Sequence, residues 1–224
     1  MDQSEKKRMS WIPVLAIGSV WGLSEAALGM ALRGVCARFV TGSAMTGIAI
    51  LFMAITSARL KRMAALLVIL GVATLYKLLD ALLLGLPVIH GAVANPIFAF
   101  YTEIFAFILV FKIMEGRLRE KRGGQALMGG MSALVAVNLF PLVKFATGIP
   151  ACVVPGTGYP LALYYAPVAI GVSAISCPLG FYLGEKMAAL EGKTSPARFP
   201  RLATAALHIA PLLCPLLLIV MRTA

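Results

Sequence analysis

Charge is scarce in this chain. Asp, Glu, Lys and Arg make up 13% of its 224 residues, about half of what a soluble domain carries. Only nine residues are acidic, and no polar segment is long enough to form a water-soluble domain of its own. Histidine occurs twice and cysteine four times. Their spacing, taken with the carboxylates, matches no structural zinc site. The absence of CxxC argues against a thiol oxidoreductase. GxSxG, HExxH, Walker A and GxGxxG patterns are missing as well, so the familiar hydrolase, metalloprotease and nucleotide-binding chemistries have no motif to stand on. An enzyme of this sequence would be an unfamiliar intramembrane one. Internal repeats, low-complexity tracts and coiled-coil heptads are also lacking.

Hydrocarbon fills the space instead. The chain is 60% hydrophobic with mean hydropathy +0.92, and apolar runs of about 20 residues recur along it, the length that crosses a bilayer. The runs fall at 11–32, 41–58, 63–86, 95–114, 126–147, 161–183 and 202–221. They predict an all-α, polytopic membrane helix bundle: a six-helix core plus a C-terminal helix, forming a single integral membrane domain. The first run is too long for a signal-peptide core and carries Glu25, so an uncleaved first helix is expected. Val35 before Cys36 is a poor fit to a lipoprotein cleavage site.

The net charge of +11 would suit nucleic acid if it lay on one polar face. It lies instead in short connections between spans. Fifteen of the 20 Lys and Arg residues fall in the N-terminal tail and alternate loops, which is the positive-inside pattern. The expected topology puts the N-terminus in the cytoplasm and the seventh span's end outside, in a bacterial or archaeal inner membrane. No nucleic-acid partner is expected; the bilayer is.

Within the apolar runs a few ionisable groups stand out: Glu25, Lys77, Asp80, Glu103 and Lys144. Insertion scales put charge in a membrane helix at about 2.5–3.5 kcal/mol per residue, so such groups are rare without a use. Lys77 and Asp80 share a helical face three residues apart. Trp21 and Glu25 share one four apart. In the predicted topology these groups all fall in the outer halves of their spans. His90 is expected in the loop before span four. Asn95-Pro96 is expected to start that span, with Asn95 as N-cap and Pro96 in first position. Asn138 lies near the middle of span five.

These groups predict a substrate pocket of Trp21, Glu25, Lys77, Asp80, His90, Asn95, Glu103, Asn138 and Lys144, with stacking faces from Trp21, Tyr76, Tyr101, Tyr164 and Tyr165. Carboxylates beside aromatics suit a polar, planar or cationic small molecule. The competing reading is that they are interhelical ties, Lys77 with Asp80 and Lys144 with Glu25 or Glu103, that only hold the bundle. No catalytic residue, metal ligand or cofactor is assigned. Cys36 and Cys152 fall in predicted outer loops, where a disulfide between them is chemically permitted. Cys177 and Cys214, each before a proline, are expected to be buried and inert.

Gly18-x-x-x-Gly22 and Ala27-x-x-x-Ala31 give the first span small surfaces for close helix contact. Spans one to six, ending Gly180-Phe-Tyr-Leu-Gly184-Glu-Lys186, form a small basic-looped bundle. In layout this resembles the substrate-binding S components of energy-coupling-factor transporters. The resemblance implies capture of a vitamin-like solute from outside, with a transmembrane coupling subunit and ATPases as partners. It carries no ligand residue, and the seventh span departs from that layout. Two other readings stand beside it: an intramembrane enzyme or assembly factor acting on a lipid or cofactor with Glu103 or Asp80 as acid or base, and a stand-alone proton-coupled carrier.

Overall fold

The computed structural model describes residues 11–34, 38–60, 62–114, 116, 120–154, 156–192 and 198–223. The chain is an all-helical bundle: α1 (Trp11–Gly34), α2 (Arg38–Leu60), α3 (Ala64–Leu83), α4 (Gly91–Ile113), α5 (Arg122–Leu139), a short α6 (Val143–Thr147), a one-turn α7 (Leu161–Tyr164), α8 (Ala166–Gly192) and α9 (Arg198–Thr223). Among the described residues seven helices are long and apolar enough to cross a membrane, with α5 and α6 counted as one span over Arg122–Thr147. This is a multi-pass membrane protein. The helix is imposed by the solvent: hydrocarbon offers no partner to a peptide N–H or C=O, so each must be satisfied within its own segment.

Span ends differ from the sequence expectation in two informative places. The first is α4, which begins at Gly91 rather than at Asn95. His90 holds an extended backbone (φ −63°, ψ 137°) and is the N-cap, its Nδ1 accepting the Ala92 N–H at 3.2 Å. The His90 carbonyl accepts from Val93 and Ala94, so the stretch read as loop is the helix's first turn. Pro96 then lies inside the helix, and Asn95 caps nothing. Glu103 is twelve residues from the start, about 18 Å down the axis at 1.5 Å per residue. That places it near mid-helix, deeper than expected. The second place is Pro141. The span bends there into a 3-10 turn, Phe140–Leu142, before α6 resumes it. Gly148, at φ +75°, closes α6, a left-handed position that glycine adopts without penalty.

Backbone-close packing holds the long helices together. Gly180 and Gly184 of α8 lie over α2, where an added Cβ would come within 2.5 Å of the Leu51 and Ile55 carbonyl oxygens. Gly129 of α5 lies against the Ser173 carbonyl of α8. Gly18 and Gly22 of α1 fit over Val72 and Tyr76 of α3. Small residues let helices approach until dispersion and weak polar contacts replace the missing hydrophobic drive. The central core, with Ile50, Met53, Ile69, Phe100, Phe107 and Met128 fully or almost fully buried, fills the bundle toward the end carrying Arg59, Arg62 and Lys112. The last helix is peripheral, laid mainly along α1, and Leu212, Leu216 and Val220 are exposed as lipid-facing positions should be.

Candidate functional site

A cavity of about 340 Å³ opens at the end of the bundle where α4 begins and the 148–160 loop lies. Its wall takes Glu25 from α1; Ser43, Met45 and Thr46 from α2; Asn95, Ala99, Phe100 and Glu103 from α4; Ala136 and Val137 from α5; Phe140 from the 3-10 turn; and Leu161, Ala162, Tyr165 and Ala169 around α7 and α8. Exposed Cys152 is at its rim. The size falls within the range of small-molecule sites, and so does the mixture of apolar wall with few polar groups.

The two carboxylates enter from separate helices. Glu25 is 95% buried and Glu103 96% buried, yet both face this one space. Trp21, one turn before Glu25, donates its Nε1–H to Glu25 Oε1 at 3.3 Å. The same indole lies against Phe100, ring centroids 5.3 Å apart, and Phe100 in turn lines the cavity. The Thr46 hydroxyl hydrogen-bonds to Glu103. Asn95 Oδ1 is shut off from solvent and has no hydrogen-bond partner in the structure. Higher up, Ser43 Oγ donates to the Tyr165 carbonyl at 3.2 Å, tying α2 to the start of α8. Among the described residues no Lys, Arg or His lines the cavity.

The predicted site residues therefore separate. Glu25, Asn95 and Glu103 come together, with Trp21 beneath them. Lys77 and Asp80 form a second cluster with a group the sequence reading passed over. Asp80 Oδ2 accepts from Lys77 Nζ at 3.1 Å, and Asp80 Oδ1 is bonded to Arg222 Nε of α9. Arg222 also reaches the Ala26 carbonyl of α1. The cluster is a three-helix tie, and its carboxylate is committed to two cations. Arg222 carried a signal of its own: it is a charge placed directly after the apolar run that ends the last span.

His90 is exposed and occupied as a helix cap. Asn138 is exposed, its amide donating to the Leu134 carbonyl of the preceding turn at 2.7 Å, and Lys144 is exposed on α6. Neither lines the cavity; the bend at Pro141 brings Phe140 to it instead. Of the aromatic candidates only Tyr165 lines the space. Tyr76 is buried beneath Gly22, and Tyr101 and Tyr164 are exposed. Cys152 has a free thiol, and Cys36 lies outside the described residues. Cys177 and Cys214 are buried. Gly18 and Gly22 are spent on α3, and Ala31 lies where side chains are not described. Among the described residues no group of three His, Cys, Asp or Glu is placed to hold a metal.

No family model, curated protein or solved structure matches this chain.

Proposed function

We propose that this protein binds a small solute within the membrane and serves its passage. The observation that carries the reading is the meeting of Glu25, Glu103 and Asn95 in one apolar-walled cavity. Bundle stability gains nothing from two buried carboxylates that face a space rather than a cation. Asp80, by contrast, has the partners of a structural group. An acid–base role for Asp80 has no support, because both its oxygens are engaged. Uptake with a coupling subunit and ATPases would need a docking surface on α1. Gly18 and Gly22 are already used internally, which leaves Ala27 and Ala31 as the small-residue surface of that helix for such a partner.

Gentle purification followed by native mass spectrometry should show a retained small molecule. Glu25→Gln and Glu103→Gln should each weaken its binding by about tenfold or more, the scale of losing a charge-assisted hydrogen bond, with the helical circular dichroism unchanged. Undiminished affinity in both variants would defeat the reading. The topology has its own check. With the 148–160 loop outside, a membrane-impermeant maleimide should label Cys152 in intact cells carrying Cys36→Ser, and the bound solute should slow the labelling. Labelling only after lysis would invert the orientation.

A further inference from the structure

We infer that the solute is an organic cation bearing N–H donors, an amine bound as its ammonium ion. This rests on reading the cavity as a solute site and narrows it to a chemical class.

The most buried polar side chains facing the cavity are carboxyl groups. An ionised carboxylate has roughly four lone-pair sites. Trp21 fills one on Glu25 and Thr46 one on Glu103, so both keep open positions. Asn95 Oδ1 is a third acceptor, buried and without a partner. A buried acceptor left unmet is costly, and a ligand with several N–H groups meets all three at once. An anionic ligand would add to the charge already there.

Asp80 is held by Lys77 and Arg222 and does not line the cavity, whereas Glu25 and Glu103 both face it. Two carboxyl groups brought to one apolar-walled space favour a guest of positive charge. The walls say that this charge rides on an organic body. Met45, Phe100, Val137, Phe140 and Leu161 give apolar surface and aromatic rings, whose faces attract cations. A bare hard cation takes six or more oxygen ligands, and such a shell is not provided.

The test uses three probes of one skeleton on the full chain in detergent: phenethylammonium, 2-phenylethanol and phenylacetate, titrated by calorimetry at neutral pH. Phenethylammonium should bind about tenfold or more tighter than the alcohol, and phenylacetate should give no binding heat. Glu25→Gln or Glu103→Gln should remove most of the ammonium's advantage while leaving the alcohol's affinity nearly unchanged. Ala162→Trp, which fills the entrance, should abolish binding of the ammonium; binding that survives it is partition into the micelle and overturns the assignment. Equal binding of ammonium and alcohol overturns the cation class but leaves the solute cavity standing. Failure of all three probes with the wild-type chain overturns both.

Discussion

Asp80→Ala should be the most damaging single substitution in the bundle, lowering stability in detergent by about 3–5 kcal/mol, the range for breaking a buried ion pair by removing one partner. The reason is what remains. Asp80 is 2% exposed and answers two cations, Lys77 and Arg222, whose side chains are 12% and 8% exposed. Without the carboxylate, both are left against apolar neighbours. Arg222 loses its hold on α3, and α9, the least enclosed of the long helices, loses its anchor at that end. The companion variant separates charge from packing: Asp80→Leu combined with Lys77→Met and Arg222→Met should recover most of the loss, because no uncompensated charge survives. Thermal unfolding of the wild type, Asp80→Ala and the triple variant, read by circular dichroism, makes the comparison. A triple variant no more stable than Asp80→Ala would show that the ions themselves are needed. Solute affinity should fall far less in Asp80→Asn than in the two glutamate variants, since Asp80 does not line the cavity.

The second large effect is expected at the α2–α8 contact. Gly180→Ala and Gly184→Ala each place a methyl carbon 2.5 Å from a backbone carbonyl oxygen of α2. A side chain can rotate away from such a clash, but a carbonyl in a helix cannot. The helices must part, at about 1–3 kcal/mol for each substitution, the usual scale of overpacking, and the double variant should fail to accumulate as a folded protein. Gly171, on the same helix, has nothing within 4 Å of its would-be Cβ. Gly171→Ala should therefore be neutral or gain about 0.5–1 kcal/mol from helix propensity. Equal destabilisation at Gly171 and Gly184 would mean that the close approach is not what limits the bundle.

The number of spans could be read from the sequence because it depends only on apolar length. Depth could be read less well. Asn95-Pro96 has the composition of a helix start, but His90 provides a cap one turn earlier, and local sequence does not rank two competing caps. What the sequence withheld was rotation. Glu25, Asp80 and Glu103 were expected around one pocket because their spans set them at similar heights. Which way each helix turns about its axis is decided by glycine contacts made with distant segments, Gly22 over Tyr76 and Gly184 over Ile55. Those contacts turn Asp80 toward α9 and leave Glu25 and Glu103 facing each other's side of the bundle. Asn138 and Lys144 were included on height alone, and both prove exposed and outside the cavity lining. Arg222 was passed over because its partner is 142 residues away.

The Trp21 indole couples two parts of the bundle. It donates to Glu25 on its own helix and lies against Phe100 of α4, which lines the cavity. A shift of that one ring would therefore loosen the carboxylate and the aromatic wall together.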